Sequence, residues 1–323
     1  MSRKSMVICT EENIKKISKE NMELWQEYTE DMILQKGIEN SKQTLKTYKS
    51  AVFMFLIWLA DNYGDKTILE INHKIVKKFL FWCQNELENR GKVRNTKTSA
   101  ISSFINYLVR EDYLEYNPLD KKLRRADISN ENVVVHTFLT EEQVNDIRNN
   151  IENIKVERIR LQLRVFFELA FSTAARVGAL QQFTEENLDL ENRKFTSIRE
   201  KTGKIKDLTF SKTAEKHLKE WIEFKKDNNI DTHAIFSTVY DGEYGLASIS
   251  TLQDWSYKLG RMINVHLHIH SLRKSYANIM KRKGVPIEVI QAKLNHESSE
   301  TTLKFYTKED VEDNQKQLDK YEF

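Results

Sequence analysis

Helix-breaking residues are scarce in this sequence, and that scarcity limits its possible folds more than any other feature. The 323 residues include 2 prolines and 9 glycines. Proline removes a backbone donor and clashes with the preceding helical turn, and glycine loses the most conformational entropy on folding. Hydrophobic residues make up 40% of the chain and charged residues 31%, as in a globular protein with a buried core. The sequence therefore predicts a mainly α-helical protein.

The length of the chain predicts two domains. Residues 1–19 form a short polar lead, and residues 20–120 contain helical patterns whose aromatic and aliphatic residues recur at helical spacing. These patterns run over Met22–Gln35, Ser41–Asn62, His73–Glu88 and Asn95–Glu111. Together they predict a compact helical bundle with a core of aromatic residues. Residues 121–137 carry little apolar periodicity and are predicted to be the linker.

The second predicted domain spans residues 138–323. Thr140-Glu-Glu-Gln143 is a capping-box pattern that opens a helix, and Glu157–Ala174 is apolar enough to be the buried central helix. Leu188–Phe210 alternates and holds two turn signals, which predicts a small antiparallel β-sheet. Helical patterns follow at 211–228, 248–263, 270–283, 287–294, 300–306 and 308–321.

The net charge of +3 is too small to identify a partner, but the cations are unevenly distributed. Those between Asn72 and Lys97 are Lys74, Lys77, Lys78, Arg90, Lys92, Arg94 and Lys97. A second basic stretch, Trp255–Pro286, contains no acidic residue. A charge run can be simply a solvated face. Two basic stretches, one in each half, favour contact with double-stranded DNA.

Cysteine content and hydropathy help to predict the cellular compartment in which the protein acts. Cys9 and Cys83 are too few for a disulfide framework or a zinc site. The apolar run Ala51–Ala60 is too short for a membrane span, and the N-terminus lacks the pattern of a signal peptide. We expect a cytoplasmic protein that does not enter the membrane.

The last quarter of the chain carries the residues most suited to chemistry. His270-Ser-Leu-Arg273 is followed by Leu294-Asn-His296 and by Thr301-Thr-Leu-Lys-Phe-Tyr306. Two histidines, an arginine and a tyrosine on consecutive short helices can converge on one phosphate. No carboxylates cluster near them, so we expect a phosphodiester site that uses no metal and no other cofactor.

Two further candidates lie upstream. Arg176 ends the apolar run that begins at Phe167, and Lys201 lies in Glu200-Lys-Thr-Gly-Lys204, a predicted hairpin turn. The order Arg176, Lys201, His270, Arg273, His296, Tyr306 resembles the active site of the tyrosine recombinase (phage integrase) family. The resemblance covers both halves of the chain, because the N-terminal helices are similar to the core-binding domain of these recombinases.

The resemblance implies a role for each of the six residues. Tyr306 would attack the scissile phosphorus and form a 3′-phosphotyrosine, and Arg176 and Arg273 would stabilise the pentavalent phosphorane. His270 and His296 would orient the phosphate and assist proton transfer from Tyr306. Lys201 would protonate the leaving 5′-oxygen, with Lys204 as the competing residue. Lys204 and Lys274 are also candidates for DNA contact. The family implies a tetramer on a specific DNA site, formed by exchange of C-terminal segments.

The sequence departs from the family pattern near these residues. Ala174 and Asn295 stand where relatives commonly carry glycine, and Ala179 stands where they usually carry glutamate. Lys274 replaces a frequent histidine, and Tyr306 comes one residue later than in many members. The leading hypothesis is a site-specific recombinase. Its alternatives are a DNA-binding regulator that has lost strand exchange, and a type IB topoisomerase, which the two-domain length fits less well.

Overall fold

The computed structural model describes residues 8–64, 66–120, 122–127, 138–200 and 203–294. The chain divides into two compact units, Met1–Val133 and Val134–Phe323. The division falls inside the segment predicted as the linker, most of which lies outside the described residues. No helix in the described ranges is both long enough and apolar enough to cross a lipid bilayer.

The described part of the N-terminal unit is built from helices. They are α1 (Glu11–Ile14), α2 (Lys19–Lys36), α3 (Ile38–Tyr63), α4 (His73–Asn85) and α5 (Gly91–Arg110), with a 3₁₀ turn at Ile68–Glu70 between α3 and α4. The four longer helices match the four predicted patterns. Helix α5 starts earlier than predicted because its first turn is polar and carried no apolar periodicity.

Helix α3 forms the centre of this unit. Its residues Val52–Ile57 are all buried, as is typical of a helix surrounded by its neighbours. Helices α2 and α5 both pack against it. Trp25 of α2 contacts Phe53 and Phe104 edge to face, each at 5.6 Å between ring centroids. The predicted aromatic core is therefore confirmed.

The segment predicted to be a polar lead is partly packed. Thr10 caps α1 by accepting a hydrogen bond from the Asn13 backbone N–H at 3.2 Å. Ile17 is buried, and Ile8 and Ile14 pack against the same core. The few apolar residues of this segment thus add to the core of the N-terminal unit.

The C-terminal unit combines helices with two small sheets. In chain order its described elements are α6 (Glu141–Glu152), α7 (Glu157–Thr173), α8 (Val177–Leu180), β1 (Leu188–Asp189), β2 (Lys194–Arg199), β3 (Ile205–Thr209), α9 (Lys212–Asp227), β4 (Ser237–Tyr240), β5 (Glu243–Leu246), α10 (Ile249–Met262), α11 (Ile269–Arg282) and α12 (Ile287–Leu294). The predicted capping box at Thr140 is present. The mainly α fold with a small antiparallel sheet is confirmed.

Strands β1, β2 and β3 form an antiparallel sheet in that order. Phe195 of β2 is paired with Leu188 of β1 and Leu208 of β3. A register shift between Phe195 and Ile198 coincides with the positive φ of Ser197, so β2 contains a bulge. Strand β2 ends at Arg199 and β3 begins at Ile205.

A second hairpin, β4–β5, was not predicted. Its turn residues Asp241 and Gly242 both have positive φ, as a tight two-residue hairpin turn requires. Asp-Gly between short alternating strands is the signal that would have identified it. Tyr240 is exposed on this hairpin.

Helix α7 forms the centre of the C-terminal unit and packs against α9 and α11. Among its buried residues is Glu168, whose side chain is 1% exposed. Both carboxylate oxygens of Glu168 accept hydrogen bonds from Arg148, at 2.7 Å from Nε and 3.0 Å from Nη2. The Arg148 side chain is 39% exposed, so only the carboxylate is shut off from water.

This asymmetry predicts unequal costs of mutation. Arg148→Met leaves a buried carboxylate unpaired and should lower the unfolding free energy by about 3 kcal/mol. The double variant Arg148→Met/Glu168→Met replaces the pair with apolar side chains and should remain within about 1 kcal/mol of the unaltered protein. Urea-induced unfolding of the full chain measures both. Equal losses in the two variants would contradict the assignment.

Candidate active site

The C-terminal end of α7 sets the position of Arg176. Helix α7 ends at Thr173, and the residue that caps it, Ala174, is fully buried and adopts the left-handed conformation (φ 51°, ψ 29°). That conformation costs a residue with a Cβ roughly 1–2 kcal/mol, which is why glycine suits the position. Ala174 retains the turn despite the methyl group, and two residues later Arg176 opens the short helix α8.

Arg273 connects the end of α7 with the end of α12. Its side chain lies on α11 and the residue is 3% exposed. Nη1 donates to the carbonyl of Ala174 at 2.7 Å, and Nη2 donates to the carbonyl of Leu294. Both carbonyls lie at helix C-termini, where backbone acceptors lack intrahelical partners and a cation is favoured. One guanidinium thus joins the segment leading to Arg176 with the segment that precedes His296.

Arg176 forms an ion pair with Glu200 at the end of β2. The distance from Nη1 of Arg176 to Oε2 of Glu200 is 2.5 Å. The Glu200 side chain is 6% exposed, whereas that of Arg176 is 36% exposed. The buried member of the pair is therefore the carboxylate, and the arginine keeps access to solvent. Sequence reasoning did not single out Glu200 as a functional residue.

Backbone hydrogen bonds fix the base of the turn that contains Lys201. The Glu200 N–H donates to the carbonyl of Lys204 at 2.8 Å, and the Gly203 N–H donates to the carbonyl of Glu200 at 2.9 Å. Gly203 has a φ of 83°, which glycine adopts without strain. The predicted hairpin between β2 and β3 is present, although Lys201 itself lies outside the described residues.

His270 lies in the first turn of α11, three residues before Arg273, and is exposed. The preceding His268 is also exposed, and its ring nitrogens lie 3.1 and 3.3 Å from the hydroxyl of Tyr257. His266 contacts the same tyrosine ring at 5.4 Å between centroids. The two neighbouring histidines therefore pack around Tyr257, and His270 is the histidine on the helix of Arg273.

The structure describes Arg176, His270 and Arg273 of the six predicted catalytic residues. Arg273 bonds to the carbonyl of Ala174, two residues before Arg176. His270 lies on the same helix as Arg273. Lys201, His296 and Tyr306 lie outside the described residues, as do the predicted helices 300–306 and 308–321.

Most of the cations predicted to contact DNA are exposed. These are Lys74, Lys77, Lys78, Arg90, Lys92 and Lys204. Arg94 is half-buried and lines a cavity of about 240 Å³ together with Lys77, Arg124 and the exposed Phe81. The basic surface predicted from α4 and α5 is therefore largely present in the N-terminal unit.

Two of the predicted DNA contacts are buried instead. Lys97 is 5% exposed, and its ammonium lies 3.0 Å from Sδ of Met54 in the core. Burial lowers the pKa of Lys97 below its ordinary value. Lys274 is also buried, on α11 next to Arg273. The ammonium of Lys97 therefore lies in the core of the N-terminal unit, away from the exposed cations of α4.

Lys293 attaches α12 to the sheet. Its ammonium donates to the Thr209 hydroxyl at 2.8 Å and also to the Thr209 carbonyl, at the end of β3. Burial lowers the pKa of Lys293 to about 8. The sequence did not single out this residue, since one lysine in a short amphipathic helix carries no distinctive pattern.

The profile of the phage integrase family matches residues 137–313, more than half of the chain, and the N-terminal SAM-like domain of phage integrases matches residues 25–112. The chain belongs to the phage integrase family. The predicted family and two-domain recombinase fold are confirmed, and the protein is an enzyme of the class that breaks and rejoins DNA at specific sites.

Curated relatives carry the same assignment. The tyrosine recombinase XerC of Staphylococcus saprophyticus is 23% identical over 82% of this chain and 86% of its own length. That of Oceanobacillus iheyensis is 26% identical over 81% of this chain and 84% of its own length.

Solved structures share the fold. The XerH site-specific recombinase bound to palindromic difH substrate superposes with a TM-score of 0.67 at 18% identity, covering 86% of this chain and 79% of that one. A lambda integrase fragment bound as a dimer to a COC′ core site gives a TM-score of 0.65 at 16% identity, with coverages of 88% and 95%.

The depressed pKa of Lys293 predicts a pH dependence of stability. Between about pH 8 and its ordinary pKa of 10.5, the unfolded chain holds the proton and the folded protein releases it. Unfolding free energy should therefore rise with pH in this window relative to Lys293→Met, which lacks the group. Urea-induced unfolding of both proteins at pH 7 and pH 10 measures the difference. Parallel pH profiles would show that Lys293 titrates normally.

Proposed function

We propose that the C-terminal unit cleaves and rejoins DNA with Tyr306 as the nucleophile. The observation that carries the proposal is the buried Arg273, whose guanidinium joins the carbonyls at the ends of α7 and α12. Through these contacts Arg176 and the chain that continues to His296 and Tyr306 are attached to the same residue. A phosphate at this position would meet two arginines whose charges persist at any physiological pH.

In the proposed cleavage step the hydroxyl oxygen of Tyr306 forms a bond to the scissile phosphorus. The bond from phosphorus to the 5′-oxygen breaks, and Lys201 gives that oxygen a proton. Arg176 and Arg273 stabilise the charge that builds up on the non-bridging oxygens. His270 and His296 orient the phosphate and accept the proton that leaves the Tyr306 hydroxyl. The product is a 3′-phosphotyrosine, and attack by the 5′-hydroxyl of a partner strand reverses the step.

Double-stranded DNA is the proposed substrate. Exposed cations of α4 and its following loop, among them Lys74, Lys77 and Arg90, would contact phosphates from the N-terminal unit. Lys204 would do so from the β2–β3 hairpin of the C-terminal unit. Because two DNA duplexes exchange strands, we also propose a tetramer on DNA, formed by exchange of the C-terminal segments.

A trapped adduct tests the proposed nucleophile. On a nicked suicide substrate containing its target site, the unaltered protein should form a DNA adduct that survives boiling in detergent. Tyr306→Phe should abolish the adduct while DNA affinity changes little, because only the hydroxyl is lost. Tyr240→Phe, which alters an exposed tyrosine of the β4–β5 hairpin, is the matched control and should form the adduct normally. Tight site binding without any adduct would favour a DNA-binding regulator.

The second test concerns metal ions. Charge stabilisation in the proposed site comes from Arg176, Arg273 and Lys201, so adduct formation should proceed at an unchanged rate in EDTA. The rate is measured on the same substrate with and without added magnesium. Loss of the adduct on chelation and its return with magnesium would contradict this mechanism.

A further inference from the structure

Two side chains connect the α8 region to the end of β2: Arg176, through its ion pair with Glu200, and Gln182 in the loop after α8. The side-chain amide of Gln182 donates to the carbonyl of Arg199 at 2.8 Å, and its oxygen accepts from the Arg199 N–H at 2.9 Å. The next residue, Glu200, holds Arg176. Side chains thus connect residues 176–182 to the strand end immediately before Lys201.

The short helix α8 supplies no acidic partner for Arg176 itself. Ala179, the third residue after Arg176, lies in α8, whereas Arg176 is the extended residue that precedes the helix. Its methyl group is buried in the core of the C-terminal unit. In the part of the chain that the structure describes, the carboxylate paired with Arg176 is that of Glu200.

An arginine that contacts a phosphate must hold one orientation, because a misplacement of about 1 Å can cost on the order of 100-fold in rate. A charge-assisted hydrogen bond to a buried carboxylate supplies such a constraint. The backbone of Glu200 is itself held in place. Its N–H donates to the Lys204 carbonyl, and its carbonyl accepts from the Gly203 N–H.

We propose that Glu200 is a positioning residue that orients Arg176 and couples it to the hairpin carrying Lys201. The proposal rests on the proposed function, because it assigns Arg176 and Lys201 to the same reaction. Glu200 acts through Arg176 and does not touch the reacting atoms. In this protein a carboxylate on the hairpin takes the place of one on the helix of the arginine.

The test compares Glu200→Gln, which keeps the size of the side chain, with Glu200→Asp, which keeps its charge. At saturating protein, Glu200→Gln should slow adduct formation on the suicide substrate by about 10-fold to 100-fold. Glu200→Asp should be intermediate, because the charge remains and the reach is shorter. DNA affinity should change less than about 3-fold in both variants, since Glu200 makes no attractive contact with phosphate.

The matched control is Asp207→Asn on β3. It removes an ion pair of the same hairpin, that of Lys194 with Asp207 at 2.9 Å, and leaves Arg176 untouched. Its rate of adduct formation should equal that of the unaltered protein.

The outcomes separate the two proposals. An unaltered protein that forms no adduct overturns the proposed function and the positioning role with it. Normal adduct formation by both the unaltered protein and Glu200→Gln overturns the positioning role alone. A slow Glu200→Gln whose rate follows a fall in its melting temperature, with Glu200→Asp no faster, also overturns it, because the role of Glu200 is then structural.

Discussion

The buried guanidinium of Arg273 is the interaction on which the candidate site depends. A charge withdrawn from water is costly unless its donors are paired, and two of the donors of Arg273 meet the carbonyls of Ala174 and Leu294. These carbonyls would otherwise be unsatisfied at the ends of α7 and α12. The same two hydrogen bonds therefore satisfy the buried guanidinium and the two helix-end carbonyls. Its consequence is that helices distant in sequence converge on the helix of His270.

Two ion pairs of the C-terminal unit share one asymmetry. At Arg176 and Glu200, and again at Arg148 and Glu168, the carboxylate is buried and the arginine is partly exposed. The long arginine side chain can bury its stem while the guanidinium stays near solvent, which the shorter glutamate cannot do. At Arg176 the result is a cation that is fixed on one side and accessible on the other. A phosphate ligand requires that combination.

The basic residues of the N-terminal unit show that a run of cations in the sequence does not by itself predict which of them are exposed. Lys74, Lys77 and Lys78 are exposed on α4, whereas Lys97 on α5 lies against Met54 in the core. All were predicted to contact DNA because a run of cations implies a common face. Helical periodicity separates them, since α5 buries one face against α3 and Lys97 lies on that face. Lys274 is buried as well, next to Arg273 on α11.

The sequence by itself determined the helical class, the two-domain organisation, the β1–β3 sheet and the family, because apolar periodicity, turn residues and ordered motifs are local properties. The β4–β5 hairpin could also have been predicted from the sequence, because Asp241-Gly242 is a hairpin-turn signal. Tertiary structure alone decided which carboxylate holds Arg176, since Glu200 reaches it from another element across 24 residues. It also decided the left-handed end of α7 at Ala174, where an alanine occupies a conformation suited to glycine because the contacts of the folded unit hold it there.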